Sequence, residues 1–207
     1  RLRVHVSPSV AEYLIGPALA EFNRRYPGIE FEFQLGNGYV DPVEAGIDVT
    51  ITHERPGNQS FVLRRIGSTR MAVCASPEFV ATHGVPRRPA DLLNLPCILC
   101  SWDMWNTWHF ERDGQSTSLR VDGRFRAGQG SMLRQFALAG LGVASLTRIH
   151  VAEDFRTGRL VPLLQEYEPA QGPSLYAVYH DRRRLNTRIR NFVDYIAAVC
   201  AGSPDTA

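Results

Sequence analysis

The order in which strand-like and helix-like stretches follow one another restricts this chain more than any other feature. Leu2 to Val6 (LRVHV) alternates apolar and polar residues as a strand does, and Ser9-Val10-Ala11-Glu12 then has the form of a capping box. That box predicts a helix running to about Arg25, stopped by Tyr26-Pro27-Gly28. Ile29 to Leu35 (IEFEFQL) alternates strictly. Gly36-Asn37-Gly38 then marks a loop before a short helical turn and a third strand, Ile47 to Thr52. Strand, helix, strand, helix, strand is the pattern of a parallel sheet, so an α/β fold is expected.

Beyond Thr52 the pattern changes. Phe61 to Ala75 holds two more strand-like runs split near Gly67-Ser68, and Ser76-Pro77-Glu78 opens a helix with proline in its first turn. Gly84 to Pro96 reads as loop, with strands expected at Cys97 to Ser101, Trp108 to Arg112 and Thr117 to Arg126. Gly130-Ser131 opens an apolar helix, Met132 to Ala139, ended by Gly140-Leu141-Gly142. Val143 to Leu146 is a buried strand candidate, and a helix near Ile149 to Arg156 ends at Gly158. After a connector, Glu168 to Pro173, Ser174 to Tyr179 is strand-like. A final helix then lines up Leu185, Ile189, Phe192, Val193 and Ile196.

Composition removes several classes of function. All 23 basic residues are arginine, so Walker-type phosphate loops, Schiff-base lysines and Ser-x-x-Lys hydrolases are excluded. A formal net charge of +2 without a dense basic arm gives no electrostatic footprint for wrapping a phosphate backbone, so this chain alone is not expected to bind DNA. No apolar run approaches ~18 residues and no leader is visible, which points to neither a membrane span nor secretion. The chain opens inside an apparent strand, so further sequence is expected upstream.

Cys97 and Cys100 have redox or zinc-like spacing, but a zinc site needs a second pair and a thioredoxin-like site needs a helix N-terminus. Here Pro96 leads into a strand, where residues three apart face opposite sides, so core packing in a reducing compartment is the expectation. The six histidines include no pair at metal-ligand spacing, and there is no Gly-x-Ser-x-Gly elbow. Gly128-Gln129-Gly130 lacks the third glycine of a dinucleotide fingerprint and reads as a helix entry. No catalytic residue, metal or cofactor is therefore expected. Of the tryptophans at 102, 105 and 108, Trp108 with Phe110 reads as core and Trp102 as a pocket wall.

Several stretches, in order, resemble the effector-binding domain of LysR-type transcriptional regulators. They include Ser7-Pro8-Ser9 with the helix ending Phe22-Asn23-Arg24-Arg25-Tyr26-Pro27, Val40 to Val49 (VDPVEAGIDV) and Val73-Cys74-Ala75-Ser76-Pro77. Ala137 to Ala144 (ALAGLGVA), Gly158-Arg159-Leu160-Val161-Pro162 and Leu175-Tyr176-Ala177-Val178-Tyr179 complete the series. The resemblance covers residues 1 to about 199. It implies two Rossmann-like lobes joined by two crossover strands, similar to periplasmic binding proteins. The lobes would be 1–70 plus 173–199 and 71–172, with 200–207 a tail and a winged helix-turn-helix preceding the chain. It further implies a cytoplasmic, non-enzymatic sensor with its effector between the lobes, a homodimer that becomes a tetramer at full length, and DNA contacts made only through the missing part.

Ligands of open α/β sheets sit beyond the carboxyl ends of strands, where helix N-termini offer free N–H groups. By that rule the candidate ligand-binding residues are Ser7, Ser9, Gly36, Asn37, Thr52, His53, Ser101, Trp102, Gln129, Gly130 and Ser131, and the resemblance adds Thr147. Relatives often carry Asn and Asp at 128 and 129, Arg at 52 and Pro at 147, so the effector contacts transfer least. Helix starts at Ser9 and Ser131, with hydroxyls at Ser7, Thr52 and Ser101, suit a small polar anion. The alternatives are a secreted solute-binding protein of the same fold and a small α/β enzyme. In the dimer that the resemblance implies, the helix Val10 to Arg25 packs near and antiparallel to Met132 to Ala139 of its neighbour, both helices being rich in apolar residues around their circumference, notably Leu14, Ile15, Leu19, Phe22, Leu133 and Phe136.

Overall fold

A computed structural model describes residues 1–55, 61–169, 172–180, 187–203 and 206. Leu185 of the expected final helix, and residues 170 and 171 of the expected connector 168–173, lie outside the described residues. The chain forms two compact units, Arg1–Thr69 with Pro173–Ala207 and Arg70–Gly172. Arg70 falls with the second unit because its carbonyl accepts the Arg148 N–H at 2.7 Å.

The first unit is built on a five-stranded sheet in the order β2-β1-β3-β12-β4, from Phe31–Leu35, Leu2–Val6, Val49–Thr52, Ser174–His180 and Phe61–Ser68. β2 and β3 run parallel to β1, whereas β12 is antiparallel to both β3 and β4. Alternation assigns the faces. Leu2, Val4, Val6, Val49, Ile51, Leu175, Ala177 and Tyr179 point into one core with Phe192, Val193 and Ile196 of the helix Thr187–Gly202. Phe22 is fully buried there, in ring contact with Tyr26, Phe31, Phe192 and Tyr195. Truncating such a residue costs about 3–5 kcal/mol.

The opening helix departs from expectation. It starts at Pro8 with Ser7 as N-cap, and Ser9 lies inside its first turn, so Ser9 caps nothing. Proline fixes φ for the first helical turn and has no N–H to satisfy, which places the boundary one residue before it despite the Ser-x-x-Glu spacing. The helix widens to a π-turn over Ala11–Ile15 before resuming as α over Gly16–Arg25. Pro17 accounts for this, because its ring would clash with the carbonyl four residues back. Of the expected tail 200–207, residues 200–203 and 206 are described. Its first residues extend the last helix to Gly202, Cys200 is buried, and Thr206 is fully buried with its carbonyl accepting the Ser68 N–H.

In the second unit β5 (Met71–Ala75) is flanked by β10 (Ala144–Thr147) and β11 (Val161–Leu163), both antiparallel to it. β6 (Ile98–Cys100) pairs in parallel with β9 (Phe125–Ala127) and is joined to the β10 side by Ile98 N–H to Val143 O at 2.8 Å. The run Thr117 to Arg126 is two strands. β8 (Gln115–Arg120) closes a hairpin with β7 (Thr107–Arg112) through Asp113-Gly114, both at positive φ, before β9 begins. Gly123 separates them, because a Cβ there would sit 1.7 Å from the Cys97 carbonyl oxygen. Within the expected loop 84–96, Pro89–Asn94 forms a 3-10 helix. Ser76 caps the helix Pro77–His83 by accepting the Phe79 N–H. Cys97 and Cys100 are free and enter separate core clusters.

Candidate functional site

The carboxyl ends of β1, β2 and β3 put Ser7, Gly36, Asn37, Thr52 and His53 on one edge of the first unit's sheet. The antiparallel β12 brings its start, Ser174 to Tyr176, to the same edge, with Tyr176 opposite Thr52. Ser7 is the helix N-cap and its side chain makes no capping bond. Gly36 donates to the Val6 carbonyl at 3.1 Å and lies against His5, so closely that a Cβ at 36 would be 2.9 Å from His5 Nε2. Thr52 is buried, and its hydroxyl accepts the Glu54 N–H at 3.0 Å. This local turn explains a strand-end hydroxyl that alternation alone left unexplained.

His53 Nδ1 lies 3.0 Å from the Ser174 carbonyl. Burial lowers its pKa, so the ring is neutral, and Nδ1 carries the proton because a carbonyl can only accept. Two residues further on, Arg55 reaches Tyr176, with Nε and Nη2 at 2.9 and 2.7 Å from the phenol oxygen. Sequence reasoning missed this pair, and its members stand 121 positions apart.

In the second unit, the pairing of β6 with β9 brings Ser101 and Trp102 beside Gly128, where a Cβ would touch Ser101 Cβ at 3.8 Å and Trp102 Nε1 at 3.9 Å. Trp102 is 46% exposed, whereas Trp108 is buried. The next residues start the helix Gly130–Leu138, with Gln129 as N-cap and Ser131 exposed in the first turn. That start has no side-chain cap bond and no acidic residue in its first turn, and the Met132 and Leu133 N–H groups close onto the Gln129 carbonyl at 3.0 and 3.1 Å, which leaves the first two N–H groups of the helix without an intrahelical acceptor.

Thr147 begins the helix Arg148–Arg156, and its hydroxyl lies 2.6 Å from His150 Nδ1. His150 is buried, and a Cβ on Gly130 would fall 2.5 Å from its Cε1. One imidazole thus spaces the two helix starts, a role the sequence did not signal. Desolvation, with a smaller contribution from the Arg134 charge, lowers its pKa to about 4, so it is neutral. Behind it Arg134 grips Asp154 at 2.5 and 2.7 Å, and Arg159 adds a third contact to this fully buried carboxylate. Both edges offer hydroxyls, neutral imidazoles and N–H donors, a set suited to holding a polar molecule.

Most of the apolar residues that motivate the expected dimer contact are used within the chain, with Leu19 and Phe136 only partly buried. Leu14, Ile15, Phe22 and Leu133 are buried in the chain's own cores, and the exposed apolar side chains on those helices are Tyr13 and Met132. Among the described residues, no group of three or more His, Cys, Asp or Glu is placed to hold a metal. No helix among them is long and apolar enough to cross a membrane.

Residues 1–201 match the family described as LysR substrate binding domain. The chain is 30% identical over 196 residues, 94% of its length, to the HTH-type transcriptional regulator CrgA of Neisseria meningitidis serogroup C (strain 8013). It is 29% identical over 198 residues to the HTH-type transcriptional regulator DmlR of Escherichia coli (strain K12), again 94% of its length. It spans 65% and 64% of the length of those relatives. The solved CrgA regulatory domain from Neisseria meningitidis superposes with a TM-score of 0.85 at 29% identity, covering 95% of this chain and 97% of that one. These relatives are transcriptional regulators rather than enzymes, their fold is the mixed α/β, periplasmic-binding-protein-like one, and the chain belongs to the LysR substrate-binding domain family.

Proposed function

We propose that this chain is the effector-sensing part of a cytoplasmic LysR-type regulator, binding a small polar, anionic metabolite and passing that event to a DNA-binding part outside this chain. The observation that carries the reading is the family match over nearly the whole length. The anionic preference rests on two features: the uncapped helix start at Gly130, without acidic residues in its first turn, and the strand-end hydroxyls of Ser7 and Thr52 in the first unit. In this reading the candidate ligand-binding residues are Ser7, Asn37, Thr52 and His53 in the first unit and Ser101, Trp102, Gln129, Ser131 and Thr147 in the second, each set described on its own unit. Gly36 and Gly130 keep the backbone close to His5 and His150. Ser9 contributes from within its helix turn.

The protein acts as a homodimer, with Tyr13 and Met132 contributing exposed apolar surface, and as a tetramer at full length. The test is a thermal-shift screen of the chain against small metabolites. A ligand at 100 times its Kd adds roughly 2.7 kcal/mol. A small anion that stabilises the parent but not Thr52→Val or Ser131→Ala supports the proposal. Stabilisation by neutral compounds alone refutes the anionic assignment.

A further inference from the structure

We infer that Arg55, held in place by Tyr176, is the charged anchor for a carboxylate on the first unit. The inference rests on the proposed anionic effector and names the group that receives its charge. Arg55 follows the carboxyl end of β3, and its Cζ lies 5.0 Å from the centroid of the Tyr176 ring. Nε–H and one Nη2–H donate to the phenol oxygen at 2.9 and 2.7 Å. A guanidinium has five N–H donors, so three remain, and they point away from the phenol. Arg55 is exposed while Tyr176 is buried, so the outward donors can meet a ligand and the base of the clamp cannot drift.

The clamp is built from several elements. Tyr176 stands opposite Thr52 on β3 and Arg65 on β4, and it shares a side-chain hydrogen bond with Ser174. The Ser174 carbonyl in turn accepts from His53, which braces the loop that carries Arg55. Two cations and, among the described residues, no paired carboxylate meet at the phenol. Arg65 is the second cation at the phenol, and among the described residues no carboxylate pairs with Arg55. The neighbouring Glu54 turns instead to the Tyr39 N–H at 3.2 Å. A fixed guanidinium edge with unused parallel donors matches the two oxygens of a carboxylate.

The test is NMR of the arginine Nε–Hε groups in the whole chain, with the Arg55 signal assigned by its loss in Arg55→Gln. Acetate, succinate, benzoate and inorganic phosphate are titrated to about 50 mM at constant ionic strength, with chloride as control. A saturable shift of the Arg55 signal with at least one carboxylate is expected. Binding, followed in the variants through the backbone amide shifts of the chain, should weaken about 10- to 100-fold in Arg55→Gln, the range for losing a charge-assisted hydrogen bond. Tyr176→Phe should weaken it less, because the charge stays but its support is lost. Arg64→Gln, removing a cation paired with Asp194, should change nothing.

The inference is overturned if none of the four probes gives a saturable Arg55 shift, if phosphate alone does, or if chloride or Arg64→Gln behaves the same way. A carboxylate that binds the chain without moving the Arg55 signal sinks this assignment and leaves the anionic-effector reading standing. Saturable binding of neutral compounds only defeats both.

Discussion

Replacing Gly130 by alanine tests the packing of the second unit's helix starts. Its Cβ would lie 2.5 Å from His150 Cε1 and 2.7 Å from Nε2, against a comfortable separation of about 3.5–4.0 Å. His150 is only 6% exposed and is tethered by Thr147 at 2.6 Å, so it cannot swing away without losing that bond. Forcing an extra methyl into such a site costs about 1–3 kcal/mol. Alanine in a helix interior gains about 0.5–1 kcal/mol over glycine, and less at this first helical position, so the steric cost dominates and leaves a net loss of up to about 2.5 kcal/mol. With His150→Ala in place the overlap vanishes and only the gain remains, so the sign of Gly130→Ala should reverse. Urea unfolding followed by tryptophan fluorescence reads this out, because Trp102, Trp105 and Trp108 all lie in the second unit. A neutral or stabilising Gly130→Ala in the parent would refute the steric argument, as would an equal cost in both backgrounds.

Acid should weaken the same unit. The His150 pKa falls from 6.5 unfolded to about 4 folded, so its contribution is complete above pH 6.5 and is lost as pH drops toward 4. By pH 5 the loss is about 2 kcal/mol, and His150→Gln should remove that part of the pH dependence of the urea midpoint. An unchanged dependence would refute it. Asp154→Ala strands Arg134 and should cost about 3–5 kcal/mol in the same unfolding assay, since the carboxylate is fully buried between Arg134 and Arg159. A cost below about 1 kcal/mol would show the network to be dispensable. Burial pushes Cys74 and Cys97 up to about 12 and Cys200 to about 11, so a thiol reagent at pH 8 should label at most the partly exposed Cys100. Formation of a Cys97–Cys100 disulfide under mild oxidant would contradict this.

The β-α-β opening of the first unit was legible because β1 and β2 alternate apolar and polar residues in sequence and because Pro27-Gly28 stops the first helix, although β3 proves buried at every position. The start of that helix was misplaced, since Ser9-x-x-Glu12 satisfies a capping pattern that Pro8 overrides through its fixed φ. β8 and β9 were merged because nothing local shows that Gly123 must pass over the Cys97 carbonyl. The strand-end rule found Thr52, His53, Ser101 and Gln129 as candidates. It could not find Arg55, Tyr176 or His150, whose roles depend on contacts with distant strands and helices and leave no periodic trace. Burial of Leu14, Phe22 and Leu133 in the chain's own cores was equally hidden, because apolar residues around a helix do not reveal which neighbour covers them.

The most direct measurement of the sensing claim is operator binding by the full-length protein, followed by fluorescence anisotropy and footprinting with and without the anion found in the thermal-shift screen. The account predicts that the anion changes the affinity or the footprint, that Thr52→Val blunts the change, and that this 207-residue chain alone binds no DNA. An unchanged affinity and footprint at saturating anion, or operator binding by the chain alone, would contradict it.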